Sequence, residues 1–149
     1  VTTTDTVVKY TAYDNKGNLL EYKNIADIPT TIIWGYNNTQ PIIKIEGVKY
    51  NDVKALQVVL DAIAASNADA VDSSKEGDLL IAFSNLRTNS GLSNYQITTY
   101  TYDPLIGVTT ITSPNGLREL YKYDSANRLE KVMDMDGNIL KEYKYNYKQ

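Results

Sequence analysis

Polar and apolar residues alternate along the last third of the chain, and this period of two is typical of β-strands with two unlike faces. Leu117, Glu119, Tyr121 and Tyr123 share one face, and an arginine, a leucine and a lysine share the other. The same alternation returns from residue 139 to residue 148. A tyrosine ladder on one side and alternating charges on the other predict one packed face and one wet face. A slip of one residue would exchange the faces, so the pattern also favours one register.

The same region contains an internal repeat. Tyr102-Asp103 and Tyr123-Asp124 are 21 positions apart, and Tyr145-Asn146 follows 22 positions later. Fixed self-similarity of this length indicates one small structural unit that is used more than once. The pairs Asn115-Gly116 and Asp136-Gly137, again 21 positions apart, predict hairpin turns because tight turns need a positive φ. Each unit is therefore predicted as strand, turn, strand.

The first third of the chain predicts two further hairpins. Its opening residues, 1–6, are polar, and we expect them to fray or to form an edge. The first hairpin looks like a degenerate copy of the repeat, and the second is rich in β-branched and aromatic residues. The predicted strands and turns are residues 7–13, 14–18, 19–22, 30–36, 37–41 and 42–48.

The middle of the chain changes to a helical period. Asn51 is a candidate N-cap for a helix that runs to about Ser66, followed by a linker over residues 67–72. Ser73 and Glu76 fit a capping box for a second helix, which residues 88–91 would end. The predicted apolar stripes are Val53, Leu56, Leu60, Ile63 and Ala64 on the first helix, and Leu79, Leu80, Phe83 and Leu86 on the second.

These elements predict a single α+β domain over residues 1–149. Antiparallel β-hairpins form a meander-like sheet from residues 1–50 and 92–149, and a two-helix insertion occupies residues 51–91. Each amphipathic helix must bury its apolar stripe, so we expect the helix pair to lie across the sheet.

Composition excludes several kinds of chemistry. The 149 residues contain no cysteine and no histidine, which removes disulfides, thiolates and the commonest general base and metal ligand. The net charge is −3, and the three arginines are scattered, so no nucleic-acid face is predicted. No apolar run is long enough to predict insertion into a membrane. We predict no catalytic residue, no cofactor and no metal site.

Carboxylates are the side chains in this sequence that could bind a metal ion or catalyse hydrolysis. Asp134 begins a stretch that resembles the start of a calcium loop, but Tyr145 stands where such a loop needs its last glutamate, so a plain hairpin turn is favoured. Paired carboxylates can hydrolyse glycosides, with Asp103 and Asp124, or Glu119 and Glu142, as the candidate pairs. We favour turn caps for the aspartates and solvated Glu–Lys ladder pairs for the glutamates.

Aromatic residues are the stronger candidates for binding. The chain has 13 tyrosines against one phenylalanine and one tryptophan. An exposed group of them could stack on sugar rings or on a peptide edge, whereas a buried group would fill the core, which is the commoner use. The candidate ligand-binding residues are Trp34, Tyr36, Tyr121, Tyr143 and Tyr145.

The segment from Tyr123 to Val132, with its Asp-Gly turn and its return through Tyr143-Lys144-Tyr145, resembles the YD repeat of the RHS family. That pattern consists of Tyr-Asp, a spacer, Gly-Arg-Leu, a strand and an Asp-Gly or Asn-Gly turn. Asn127 stands where glycine is usual, and asparagine also tolerates left-handed backbone. More widely, the chain resembles the C-terminal part of large surface YD-repeat proteins of Bacteroidetes. The residues that carry this wider resemblance are 13–18, 32–36, 41–46 and 99–107.

The resemblance implies a protein that is secreted or held at the cell surface of a bacterium. In RHS proteins the YD repeats wind into a long β-sheet shell, and two clear repeats are too few to close one. We therefore expect a non-catalytic structural segment or cap of a longer repeat protein. Its partners would be the rest of a longer repeat protein or another surface protein. The alternative is a carbohydrate- or protein-binding module that uses exposed tryptophan and tyrosine. A glycoside-type hydrolase that uses paired carboxylates is the third hypothesis. Open strand edges would also allow a homodimer by edge pairing.

Overall fold

The computed structural model describes residues 8–146 as one antiparallel sheet with helices on one face. The order of the strands in the sheet is their order in the chain, so β4 and β5 are neighbours although all the helices lie between them. The α+β fold of antiparallel hairpins with helices inserted in the middle is thus confirmed. Residues 1–6, predicted to fray or to form an edge, lie outside the described part. The strands are β1 (Val8–Tyr13), β2 (Leu19–Asn24), β3 (Pro29–Gly35), β4 (Gln40–Glu46), β5 (Gln96–Asp103), β6 (Gly107–Thr112), β7 (Arg118–Tyr123), β8 (Leu129–Met133) and β9 (Ile139–Glu142).

The predicted first helix is divided into two. Helix α1 (Tyr50–Val53) ends before an extended residue, Leu56, and α2 (Gln57–Val71) follows it. The interruption lets both Val53 and Leu56 pack against the core, so tertiary contacts override the helical pattern. Helix α2 continues through residues 67–71, and the predicted linker there is wrong.

Both predicted helix caps are also wrong. Asn51 lies inside α1, and the acceptor at the start of that helix is Glu21 on β2, whose Oε1 accepts from the Tyr50 N–H at 2.8 Å. Ser73 begins a 3₁₀ turn (Ser73–Lys75) that the Asp72 side chain caps by accepting from the Ser74 N–H. Helix α3 (Glu76–Thr88) then starts directly, without a side-chain cap. The start of α1 is thus satisfied by an acceptor from a distant strand, which no local pattern reveals, whereas the 3₁₀ turn is capped by the residue directly before it.

Helix α2 buries a different stripe from the one predicted. Its buried residues are Val59, Ala62, Ser66 and Asp69, whereas Leu60 is 44% exposed. Two of the four buried positions are polar, so the hydrophobic period indicated the wrong face. Gly35 on β3 explains the close contact, because a Cβ there would lie 2.2 Å from Ser66 Oγ. The second helix follows its prediction, with Leu79, Phe83 and Leu86 buried.

The core lies between these helices and the central strands. Ile33, Ile43, Ile45 and Ile97 face the helices, and each is at most 3% exposed. The same face continues outward through threonines rather than larger apolar residues. Thr99 pairs with Thr112, and Thr101 pairs with Thr110. The helix layer therefore covers the middle of the sheet, whereas the two edge strands, β1 and β9, are largely exposed.

Arg87 on α3 ties the helix layer to the threonine surface. Its guanidinium group donates to Thr99 Oγ1 at 3.1 Å and to three backbone carbonyls, those of Ile97, Thr112 and Ser113, at 3.0–3.1 Å. Burial lowers the pKa of Arg87 below its ordinary value. In the sequence Arg87 is only one of three scattered arginines, and no local pattern indicates these contacts.

The tyrosine ladder lies on the face opposite the helices. Arg118 pairs with Thr112, and Leu120 pairs with Thr110, so these β7 residues are on the helix side. Tyr121, between them in the alternation, faces the other way. The alternation itself is confirmed, but the helices cover the side that carries the arginine and not the side that carries the tyrosines.

Five of the eight strand connections use one and the same turn. Its first residue donates its N–H to the carbonyl of the fifth residue, and the fourth residue donates back to the first. The fourth residue has a positive φ, such as +61° at Asn127 and +87° at Gly137, as a left-handed position requires. The hairpins predicted at Asn115-Gly116 and Asp136-Gly137 are therefore confirmed. The five turns are residues 14–18, 24–28, 113–117, 124–128 and 134–138.

Candidate functional site

One end of the sheet carries an aromatic residue within three positions of the last residue of each odd-numbered strand. Neighbouring strands are antiparallel and follow chain order, so all odd-numbered strands run toward this end. Two of these residues, Trp34 and Tyr145, were predicted as candidates for ligand binding. We call the set the aromatic row, and it consists of Tyr13, Trp34, Tyr102, Tyr123 and Tyr145.

Four members of the aromatic row donate a hydrogen bond to a carbonyl at the start of the preceding even-numbered strand. The ladders between those strands stop short of this end of the sheet, so the carbonyls lie beyond the last backbone pair. An aromatic side chain thus supplies the donor that the neighbouring backbone does not. The bonds are Trp34 Nε1 to Leu19 O (2.8 Å), Tyr102 Oη to Pro41 O (2.7 Å), Tyr123 Oη to Val108 O (2.7 Å) and Tyr145 Oη to Leu129 O (2.6 Å).

The accepting residue is in each case the strand partner of the preceding aromatic residue. Tyr123, for example, pairs with Leu129, and the Leu129 carbonyl accepts from Tyr145. Each two-strand unit is therefore bonded to the next by the same contact. The remaining pairs are Tyr13 with Leu19, Trp34 with Pro41 and Tyr102 with Val108.

The period of 21 positions seen in the sequence is the period of this contact. Tyr13 and Trp34 are also 21 positions apart, a repeat that the sequence analysis missed. A tryptophan replaces the tyrosine there, and Gly35 rather than an aspartate follows it. The helices then lengthen the next interval, so no simple spacing could connect Trp34 with Tyr102.

Tyr36, predicted as a ligand-binding candidate, is part of the core. It is 2% exposed, and its hydroxyl donates to Asp69 Oδ2 at 2.6 Å while accepting from the Tyr102 N–H at 2.9 Å. The rings of Tyr36 and Tyr102 meet edge to face at 5.4 Å. Burial, and then the adjacent carboxylate, raise the pKa of Tyr36 far above its ordinary value. Its ring cannot contribute to an exposed surface.

Tyr121 and Tyr143 come together on the face that the helices leave open. With Val132 between them, they line a groove of about 120 Å³. Val132 is only 4% exposed because these side chains cover it, while Tyr143 itself is 41% exposed. The Tyr121 hydroxyl donates to Glu119 Oε1 at 2.9 Å, and burial followed by this carboxylate raises the pKa of Tyr121 to about 12. The groove could accept one small apolar or ring-shaped group.

The five predicted binding residues thus occupy three different places. Tyr36 is buried, Trp34 and Tyr145 belong to the aromatic row, and Tyr121 and Tyr143 line the groove. The face of the Tyr145 ring is also occupied, since the Arg128 guanidinium carbon lies 4.2 Å from the ring centroid. The residues do not form one continuous stacking platform.

The candidate carboxylates mainly support turns and side chains. Asp124 Oδ1 accepts from two backbone N–H groups of its turn, and these bonds, with Arg128, lower its pKa. Asp103 accepts likewise from the Leu105 N–H, so the prediction of turn-capping aspartates is confirmed. Asp134 caps its turn in the same way, as predicted for a plain hairpin.

The two glutamates behave differently from each other. Glu142 pairs with Lys131 across the strands, as predicted. Glu119 instead lies opposite Ile111 and bonds to Tyr121, so its prediction as a Glu–Lys ladder pair is wrong. Among residues 8–146, no group of three or more acidic side chains is arranged to hold a metal ion.

An acidic cleft of about 510 Å³ opens beside the C-terminal end of α2, and the sequence analysis did not foresee it. Asp69, at its base, is 3% exposed, and burial raises its pKa against the opposing hydrogen bond from Tyr36. Thr109 donates to the Glu76 carboxylate at 2.5 Å. The four acidic groups come from different elements, so no local motif indicates them. The carboxylates that line the cleft are Asp69, Asp72, Glu76 and Asp103.

Comparison with known proteins gives no family assignment. No protein-family model matches the chain, and no curated protein sequence is significantly similar to it. Within the part of the chain that the structure describes, no helix is both long and apolar enough to cross a membrane.

Proposed function

We propose that the chain is a non-catalytic structural segment of a secreted or cell-surface bacterial repeat protein of the YD (RHS) type. The aromatic row carries the proposal, because one contact joins each two-strand unit to the next. Such nearest-neighbour bonding is how repeat proteins gain stability. The carboxylates of Asp103 and Asp124 accept hydrogen bonds within turns, and the candidate aromatic residues do not form one stacking platform.

The two outermost strands support the same role. Within residues 8–146, β1 and β9 each have a partner on one side only, and all four residues of β9 are exposed. A strand edge of this kind presents unpaired N–H and C=O groups that another strand can pair with. In a longer repeat sheet, neighbouring units would occupy these edges. The rest of such a protein is therefore the partner that we propose.

The test is the insertion of one additional unit. A copy of residues 103–123, placed between Tyr123 and Asp124, recreates a Tyr-Asp junction at both ends. If the segment is a repeat, the insertion adds two strands and preserves every turn and aromatic contact. We expect cooperative unfolding in urea with an increased m-value, because more surface is buried in the folded state.

The control is an insertion of the same residues in scrambled order, which should unfold with the original m-value or fail to fold. The proposal predicts a clear difference between the two insertions. Equal loss of folded protein in both would show that the sheet does not accept units, and the repeat role would then be withdrawn.

The groove lined by Tyr121 and Tyr143 supports a second candidate function, a carbohydrate-binding module. Its exposed Tyr143 ring beside a buried Val132 could pack against one sugar ring. Isothermal titration calorimetry with a panel of soluble glycans tests this candidate. Binding that Tyr143→Ser abolishes and Tyr10→Ser leaves intact would favour the module. No heat from any glycan would leave the structural role as the better proposal.

A further inference from the structure

We propose that the outer edge of β1 receives an antiparallel strand from a neighbouring repeat unit, with the Tyr13 hydroxyl donating to the carbonyl at the start of that strand. The inference rests on the proposed function, since the occupant is a strand of the same repeat type. The inference specifies which edge is used, the register of the added strand and the hydrogen bond that joins it to β1.

Tyr13 is the one member of the aromatic row whose polar group has no acceptor among residues 8–146. It is 54% exposed, and its ring meets Tyr10 edge to face at 6.5 Å. The unit formed by β1 and β2 already makes its contact with the next unit, because Tyr13 pairs with Leu19 and the Leu19 carbonyl accepts from Trp34 on β3. Only the outward bond, which the other four aromatic residues make, is missing.

The pair β6 and β7 shows what the occupant must be. Strands β1 and β7 are each six residues long and each ends in a tyrosine followed by an aspartate. In β7 that tyrosine, Tyr123, bonds to the Val108 carbonyl at the start of β6. The occupant of the β1 edge is therefore an extended segment that precedes β1 as β6 precedes β7. A strand there would also cover part of Val8 and Tyr10, which are 39% and 60% exposed.

A second copy of the chain offers no even-numbered strand at an edge. Among residues 8–146 its open edges are β1, which ends at a member of the aromatic row, and β9, which precedes one. In all four bonds of the row the accepting carbonyl belongs to an even-numbered strand, and each of these strands has a partner on both sides. The occupant that reproduces the observed contact is therefore a strand of a further unit, and a dependence on protein concentration would reveal a second copy instead.

The experiment supplies that strand in the same chain. A copy of residues 107–117 is joined directly to Val8 in place of residues 1–7, so that Val8 follows the copied turn as Arg118 follows the original. We expect the amides of β1 to become protected from hydrogen exchange. In this chimera Tyr13→Phe should lower Tm by about 2–4 °C, because one buried hydrogen bond is lost. In the unmodified chain Tyr13→Phe should leave Tm unchanged.

Tyr123→Phe in the unmodified chain is the reference, since it removes the corresponding internal bond. If Tyr123→Phe lowers Tm but Tyr13→Phe in the chimera does not, the inference about β1 is wrong while the repeat role stands. If neither substitution lowers Tm, the contact does not hold units together and the proposed function loses its main support.

Two further measurements test the proposal if the chimera does not fold. A synthetic peptide of residues 107–117, added at millimolar concentration to the full chain, should slow exchange at β1, and no slowing would overturn the proposal. Exchange at β1 in the full chain alone should not depend on protein concentration. Slowing with rising concentration would instead identify a second copy as the occupant and would also overturn it.

Discussion

Single tyrosines in this protein serve as hydrogen-bond donors as much as apolar rings. Tyr102 and Tyr123 reach carbonyls that lie beyond the ends of the backbone ladders. Burial raises the pKa of Tyr102 and of Tyr123 above the ordinary value of 10.0, at which a tyrosine hydroxyl already keeps its proton at neutral pH. Phenylalanine could fill the same space but would leave each carbonyl unpaired. The way the strands are joined therefore requires tyrosine rather than phenylalanine at Tyr102, Tyr123 and Tyr145.

Asp69 gives the clearest dependence on pH at this scale. Burial raises its pKa above the ordinary value of 3.8, and repulsion from Glu76, Asp103 and Asp72 acts in the same direction against the Tyr36 hydrogen bond. The unfolded chain therefore releases this proton at lower pH than the folded chain. Its contribution is complete below the ordinary pKa and is lost as the pH rises through the raised pKa.

We expect Asp69→Asn, which keeps an acceptor for Tyr36, to remove this penalty. Urea titrations of both proteins between pH 4 and pH 8 should show the original chain losing stability relative to the variant as the pH rises. A relative gain of the original chain with pH would contradict the raised pKa. Asp61→Asn, at an exposed position on the same helix, is the control and should show no such trend.

At the scale of elements, the shared turn determines how the hairpins close. Its fourth position requires a left-handed backbone, which glycine adopts freely and asparagine tolerates. Gly116 and Asn127 occupy this position in successive hairpins, with φ of +86° and +61°. An added Cβ at Gly116 would meet no atom within 4 Å, so only backbone conformation is at stake there.

The two positions make a matched test. Gly116→Ala should lower the unfolding free energy by about 1–2 kcal/mol, because a β-carbon opposes the left-handed conformation. Asn127→Gly should change it by less than about 0.5 kcal/mol, since the strain that it relieves is partly offset by the greater freedom of the unfolded chain. Chemical denaturation measures both values. Equal effects would indicate that the turn is not what restricts these residues.

At the scale of the whole molecule, the helices supply the second layer of the core and cover only the central part of the sheet. The apolar core lies only under the central strands, and Arg87 extends the contact to β6 through Ser113 and the Thr112 carbonyl. Its two terminal nitrogens supply four hydrogen bonds, a geometry that a single ammonium group cannot reproduce. The orientation of α3 on the sheet should depend on this side chain.

Arg87→Lys should therefore lower the unfolding free energy by about 2–3 kcal/mol, since buried carbonyls lose their donors. Arg118→Lys is the matched control, because Arg118 makes one 3.3 Å bond to Thr112 and should lose less than about 1 kcal/mol. Thermal and urea unfolding test the pair. Similar losses for both variants would mean that the four bonds of Arg87 contribute nothing specific.

Several strands, turns and one helix of this protein could be predicted from sequence alone, because they depend on residues that are close together in the chain. Alternation predicted the strands of the repeat region, and Asn-Gly and Asp-Gly pairs predicted turns, because both depend on backbone conformation and on neighbouring side chains. The second helix and its buried Leu79, Phe83 and Leu86 followed from helical spacing for the same reason.

Tertiary structure decided everything that depends on residues far apart in the chain. The buried face of α2 includes Ser66 and Asp69, whose partners are Gly35, the last residue of β3, and Tyr36, which follows it. The Glu21 acceptor at the start of α1, the acidic cleft and the bonds of Arg87 join different elements in the same way. The aromatic row combines both contributions. Its tyrosine period is written in the sequence, but which carbonyl accepts each hydrogen bond depends on where the backbone ladders end.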